Sequence, residues 1–476
     1  MTAHSGTSDQ GTLPTVRRTS TTLADGRELI YFDDSEPYRS GAKRRDVVDG
    51  RPLGVRAASG TIRLDALTGD WVSIAGHRQN RTFLPPENEC PLCPTGRGTV
   101  PSEIPAEDYD VVVFENRFPS FATEPTAVAP WVNPLFAQAP ALGRCEVVCF
   151  TSDHDASFSS LSPARARTVV DAWADRTRAL SALDVVQHVF VFENRGQEIG
   201  VTLHHPHGQI YAYPFLPART AQVLRQATEH HERTGRLLGA DLLAAELDAG
   251  SRVVIRGTHW TAYVPYAAQW PVEVHLVPNR DVPDLVALDD AERDELAEVY
   301  LDLMHRLDRY YQGPGGSPIA LPYIAGWHQA PVRQGRDVSR LHLQVMSVRP
   351  LDRLSDKQIR ARAEHIVTEI ERVRATVALL RSRRLPDVGP VFNASHASMR
   401  DDFDLLRRAR PRGRGGNGSR RPGCTDDRRR SRWLGHHVGA HRQHGRGNLG
   451  RHTSLCGQGF CPASLSPRED RPRRES

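Results

Sequence analysis

The sequence predicts an α+β protein built from a duplicated unit. Short β-rich runs bounded by polar, Gly or Pro breakers dominate each half, one amphipathic helical stripe lies in each, and the same order recurs. That order is strand pair, helix, then a strand pair that ends in a histidine-bearing strand.

In the first half the strand runs are DWVSIA (70–75), YDVVVFEN (109–116), RCEVVCF (144–150), VQHVFVFEN (186–194) and GQIYAY (208–213). Between them Ser162 and Pro163 supply an N-cap and an N1 proline, and Val169, Val170, Trp173, Leu180 and Leu183 follow at near-helical spacing. In the second half HWTAYVPYAAQWPVEVHLVP (259–278) reads as two strands. A helix carrying Leu296, Val299, Tyr300, Leu303, Leu307 and Tyr310 follows, then YIAGWHQAP (323–331) and SRLHLQVMSV (339–348) as strands. Residues 1–58 read as an N-terminal arm rather than a domain. Residues 59–215 and 216–349 are the two halves, and 350–404 is a charged helical fragment.

Composition separates the body from its C-terminal end. The chain carries +5 overall, but residues 405–476 hold 18 Arg and 5 acidic residues, +13, which leaves −8 for residues 1–404. That last stretch has no apolar period, so a disordered tail is expected. A tail of this charge binds nucleic acid only nonspecifically, through the phosphate backbone. The 39% hydrophobic content agrees with a chain of which part builds no core. Seven cysteines, an odd number, with a CPLC pair and no signal-peptide core point to a cytoplasmic protein, and no run approaches the ~18–20 apolar residues of a membrane span.

The chemistry concentrates in GVTLHHPHGQIY, residues 200–211. On a strand, His205 and His207 would share a face, one free to hold a metal and the other to meet a substrate. Pro206 cannot donate a ladder hydrogen bond, which predicts an edge or a strand end, and Gly208 is expected to leave room for a phosphate. A neutral imidazole is nucleophilic and its phosphoramidate remains reactive, so His207 is the candidate nucleophile. Gln209, two residues on, can donate to a phosphate oxygen without acting as an acid.

HPHGQIY resembles the active-site signature of the galactose-1-phosphate uridylyltransferases, the transferase branch of the histidine-triad superfamily. The resemblance runs in family order through LTGDWVSIAGHRQNR, CPLC, FENRFPSF, CFTSDH, FENRG, HPHGQIY, VPYAAQWPVE and GWHQAP. It implies two histidine-triad-like antiparallel half-barrels with flanking helices, assembled as a homodimer. It also implies ping-pong transfer of UMP from UDP-glucose to galactose 1-phosphate, by His207 with Gln209 holding the phosphate. The related alternatives are a nucleotidyl hydrolase or phosphorylase, which Gln209 disfavours, and a truncated inactive remnant.

The resemblance carries over a Zn2+ site of Cys90, Cys93, His154 and His205. It further implies substrate contacts from Arg78, Arg81, Asn116, Asn194, Gly200, Val201, Thr202 and Gln209. Arg117 stands where many relatives have Asp. Some relatives hold a second metal by one Glu and three His; here His328 and His342 match, but Gln344 and Val223 replace the other two, so no metal is expected there. Past Val348 the family's final segment is missing, and residues 354–403 resemble a late piece of a galactokinase, without that enzyme's galactose-binding motif or phosphate loop.

Overall fold

The computed structural model describes residues 15–54, 60–75, 85–96, 101–124, 128, 133, 135–312, 317–348, 372, 375, 376, 379, 382, 384 and 387–401. Residues 1–350 fall in one compact unit, and the helix Val388–Asp401 in another. The Arg-rich segment 405–476, and most of 350–387, lie outside the described residues.

The first unit is organised by one eleven-stranded antiparallel sheet. Its strands in chain order are β1 (Arg17–Thr22), β2 (Glu28–Asp33), β5 (Val111–Glu115), β7 (Arg144–Cys149), β8 (His188–Arg195), β9 (His207–Tyr213), β10 (Val253–Arg256), β11 (Trp260–Tyr263), β12 (Val272–Pro278), β15 (Tyr323–His328) and β16 (His342–Ser347). A separate three-stranded sheet joins β3 (Thr61–Asp65), β4 (Asp70–Ile74) and β6 (Gln138–Pro140), and β13 (Tyr311–Gln312) pairs with β14 (Pro318–Ile319).

The spatial order β1-β2-β5-β7-β9-β8-β15-β16-β12-β11-β10 displays the duplication. In the first half the chain runs β5, β7, helix α1 (Pro163–Ser181), β8, β9, and the strands lie in the order 5-7-9-8. In the second half it runs β11, β12, helix α4 (Asp290–Asp308), β15, β16, and the strands lie in the order 11-12-16-15. The halves meet where β8 pairs with β15, Ala325 opposite Glu193. Between them α2 (Ala218–Thr234) and α3 (Leu238–Ala249) form a helical pair.

Both long helices start on side-chain caps. Ser162 accepts from Arg165 N with Pro163 at N1, and Asp289 with Glu292 forms a capping box. Their apolar stripes pack on one face of the sheet: Val169, Val170, Trp173 and Leu180 of α1, and Leu296, Tyr300, Leu303 and Leu307 of α4. Trp173 sits 6.1 Å from Trp327 of β15, and Tyr300 4.4 Å from Phe158. Truncating one of these aromatics to Ala would cost about 3–5 kcal/mol through the cavity left.

The N-terminal segment differs from the arm expected of residues 1–58. β1 and β2 extend the main sheet, and Leu29–Phe32 are buried. The reason lies in β5, whose five residues are all buried and which therefore needs a neighbour on each side. ELIYF is short enough to pass for an isolated patch, yet it supplies that neighbour. Its Ile30 and Phe32 join the helix-side core, while Leu29 and Tyr31 join a second cluster on the opposite face.

Candidate active site and metal centre

That second cluster contains Cys90, Leu92, Cys93, Ile104, Tyr109, Val112, Phe114, Val147 and Cys149. On it Cys90, Cys93, His154 and His205 bring one ligand atom each within 4.8 Å of one another, and among the described residues they are the one such group. Cys93 Sγ lies 3.4 Å from His154 Nδ1 and 3.5 Å from His205 Nδ1. A tetrahedral ion bonded at about 2.3 Å to sulfur and about 2.0–2.1 Å to nitrogen has S···N edges of roughly 3.5 Å, so the residues fit such an ion. Two thiols and two imidazoles make a closed set that suits a borderline transition metal, whereas hard cations take oxygen.

His205 is buried, and burial pulls its ring down to about 4, so the imidazole is neutral. Its Nε2 lies 2.8 Å from the Thr151 carbonyl and 2.7 Å from the Tyr109 hydroxyl. A carbonyl only accepts, so Nε2 carries the proton and Nδ1 keeps its lone pair toward Cys93.

The strand β9 begins at His207, so Pro206 and His205 lie just before it. His205 therefore lies outside the strand, and it reaches the same side of the sheet as His207 by the course of the loop and not by strand alternation. Pro206 ends the ladder, with its carbonyl accepting from Phe150 N, and His205 leaves to join the cysteines. Within β9, His207, Gln209, Tyr211 and Tyr213 are half-buried and Gly208, Ile210 and Ala212 are buried. Ile210 and Ala212 belong to the helix-side core, which puts His207 and Gln209 on the open face with the Cys/His group.

His207 Nδ1 lies 2.7 Å from the His205 carbonyl. The proton must again sit on the donating nitrogen, which leaves Nε2 of His207 with a lone pair and no partner among the described residues. Burial also holds this ring below the usual imidazole value, and so uncharged at neutral pH. Gln209 Oε1 accepts from Tyr211 Oη at 3.4 Å, leaving its amide nitrogen available.

Gly208 serves a different purpose from the one expected. A Cβ there would meet Phe150 Cζ and the Phe192 carbonyl at 3.0 Å. The glycine lets Phe150, just after β7, and β8 close on β9, and it does not face the open side.

The remaining expected contacts are dispersed. Asn116 follows β5, donates its N–H to the Cys145 carbonyl at 2.8 Å and accepts from Phe118 N at 2.9 Å. Arg117 beside it reaches Glu103 at 3.6 Å. Asn194 sits at the β8–β15 junction opposite Ile324, its Oδ1 buried without a partner among the described residues. Gly200 ends a short turn with a positive φ of 82°, and Val201 N donates to the Gly196 carbonyl, which shapes the loop through Thr202 toward His205. Arg78 and Arg81 lie outside the described residues.

In the second half His328 and His342 stack with ring centroids 4.7 Å apart, and His275 is 5.5 Å from His342. Gln344 donates to Glu273 Oε1 at 2.7 Å, and Val223 lies exposed on α2. Tyr109, Thr151, Glu273 and His275 were not legible as site residues. The first two act through a hydroxyl and a main-chain carbonyl, which no motif spacing announces.

Comparison with known proteins bears on the whole of this region. Residues 55–217 match the model of the galactose-1-phosphate uridyl transferase N-terminal domain, and residues 223–351 that of its C-terminal domain. A galactose-1-phosphate uridylyltransferase of Streptomyces lividans is 52% identical over 337 residues, 69% of this chain and 86% of the relative. The chain belongs to the galactose-1-phosphate uridylyltransferase family. A family member from Thermotoga maritima is 35% identical over 62% of this chain and 88% of its own length. A solved structure described as a uridylyltransferase is 30% identical, with a TM-score of 0.53 over 61% of this chain and 87% of that one. No helix among the described residues is long and apolar enough to cross a membrane.

Proposed function

We propose that this family member transfers UMP from UDP-glucose to galactose 1-phosphate through a uridylyl-histidine at His207. Nε2 of His207 attacks the α-phosphorus of UDP-glucose, the bond to the β-phosphate bridging oxygen breaks, and glucose 1-phosphate leaves. A phosphate oxygen of galactose 1-phosphate then displaces the imidazole, giving UDP-galactose and free His207. The observation that carries this reading is the His205 carbonyl on His207 Nδ1, which presents a neutral Nε2 beside the Gln209 amide. Gln209 donates to the transferred phosphate and, unlike a histidine, offers no proton to a water-derived product.

Cys90, Cys93, His154 and His205 hold Zn2+, which supplies cross-linking of distant segments rather than Lewis-acid chemistry, because four protein ligands close the coordination shell. Asn116, Asn194, Gly200, Val201 and Thr202, with Arg78 and Arg81, contact the nucleotide and sugar phosphate. The protein works as a cytoplasmic homodimer, which gel filtration of the purified chain tests. Residues 59–215 form the catalytic half, 216–349 its partner half and 350–404 a galactokinase-like fragment. A gene fusion that brought in this fragment, followed by a frameshift, accounts for the Arg-rich tail; no galactokinase-like Gly-rich sequence in either alternative frame of the coding DNA after Phe403 would count against it. The tail binds nucleic acid only nonspecifically.

The deciding experiment mixes the protein with UDP-glucose labelled in the uridine, without acceptor. Stoichiometric label in an acid-labile, base-stable bond is expected, discharged by galactose 1-phosphate. Absence of label on a zinc-loaded, folded protein would sink the reading.

A further inference from the structure

We propose that Tyr109 is a positioning residue that holds His205 in the orientation its metal-facing nitrogen needs and, through His205, sets the nucleophilic nitrogen of His207. The proposal rests on the function just described.

Tyr109 lies two residues before β5 and is 3% exposed. Its hydroxyl donates to the Leu92 carbonyl at 2.8 Å, inside the loop that carries Cys90 and Cys93. With that proton committed, the oxygen accepts the Nε2–H of His205 at 2.7 Å. The same N–H also reaches the Thr151 carbonyl at 2.8 Å, so it is shared between two acceptors. The two acceptors differ in where they stand. Thr151 belongs to the loop after β7, whereas Tyr109 ties the histidine to the cysteine loop itself. Among the described residues, no other side-chain hydroxyl bridges those two arms.

The consequence passes one residue further. His205 presents its carbonyl to His207 Nδ1 at 2.7 Å. A tilt of His205 moves that carbonyl and with it the His207 ring, because the carbonyl holds the ring directly and only Pro206 separates the two residues. A hydroxyl on the far side of the metal group thus controls where the lone pair of His207 points. Partners of this kind around metal ligands change affinity or activity by about 10–100-fold when removed. A residue that merely fills space would move stability alone.

The test measures zinc release into a chromophoric chelator and the rate of uridylyl labelling from UDP-glucose, in wild type, Tyr109→Phe and Thr168→Val. Phenylalanine keeps the ring in its cluster and deletes the hydroxyl's hydrogen bonds to the Leu92 carbonyl and His205, together with its contact to the Cys149 thiol. Thr168→Val deletes a buried hydroxyl bond to Asp34, 2.7 Å long and remote from the site, as a control for lost stability. The expected result is zinc release about 10–100-fold faster in Tyr109→Phe, with slower labelling. Thr168→Val should lower the melting temperature and leave both rates alone. Wild-type zinc release in Tyr109→Phe would overturn the proposal. A wild-type chain without stoichiometric zinc would overturn the metal reading and this proposal together; zinc-loaded wild type with an unaltered Tyr109→Phe would overturn this proposal alone.

Discussion

At His207 the decisive property is which ring nitrogen carries the proton. The His205 carbonyl takes Nδ1–H, which leaves Nε2 as the atom proposed to attack, and in that proposal the two histidines divide the work between holding and reacting. His207→Asn should stay folded and zinc-loaded yet retain no uridylyl label, read by filter retention after mixing with labelled UDP-glucose. His207→Gly should lose label too but regain the second half-reaction when given uridine 5′-phosphoimidazolate, because the cavity accepts the missing ring. Label persisting in either variant would put the UMP on another residue. Gln209→His should keep first-step labelling while slowing discharge to galactose 1-phosphate about 100-fold, since an amide aimed at the phosphate oxygens is lost. An unchanged discharge rate would remove Gln209 from the transfer step.

At the scale of elements, β9 and β16 occupy equivalent places in the two halves, each between its two partner strands. Both carry His-x-Gln: Gln209 faces Val147 and Phe192, and Gln344 faces His275 and Gly326. Their surroundings separate them. The Gln344 amide is spent on Glu273, and the His342 ring is stacked on His328. His342→Asn should therefore leave uridylyl labelling at the wild-type rate, and a loss of labelling without a loss of fold would make the second half part of the reaction. What only β9 has is the clamp at its entry. The candidate ligands Cys90, Cys93, His154 and His205 come from three separate segments, so an ion bound there would close long loops and its binding energy would become folding energy. Cys93→Ser should lower zinc content and melting temperature together; near one zinc per chain with unchanged stability would refute the clamp.

Across the whole molecule, the sheet separates a core from a reaction face. α1 and α4 cover one side, while the Cys/His group, His207 and the aromatic row Tyr211, Tyr213, Phe121 and Phe215 lie on the other. The cost of burying the first side shows at Glu193, opposite Gly208. Burial raises its carboxyl to about 7, and Oε2 lacks a partner among the described residues. An acid whose folded value is raised above its unfolded value near 4.5 binds its proton more tightly in the native state. Its contribution to stability is therefore lost as pH climbs from about 4.5 to 7. Glu193→Gln, which mimics the protonated form, should match wild type in thermal unfolding near pH 4.5 and exceed it by a few kcal/mol at pH 8. A gap independent of pH would show that Glu193 does not titrate in that range.

The sequence by itself determined the α+β class, the duplication and both long helices, because those rest on local periodicity, joined in the first helix by the cap that Ser162 and Pro163 announce without any neighbour. It also displayed the groups from which the proposed chemistry is built, since HPHGQ and CPLC supply imidazoles, an amide and thiols in a recognisable order. Only the tertiary structure decided which residues do the holding. It drew β2 into the sheet because β5 needs a second neighbour, and it assigned Gly208 to packing against Phe150. It turned His205 away from His207 to meet Cys93, and placed the Tyr109 hydroxyl and the Thr151 carbonyl on its far nitrogen. Those outcomes depend on contacts between segments up to about a hundred residues apart, and on main-chain acceptors that every residue possesses, so no local pattern could have carried them.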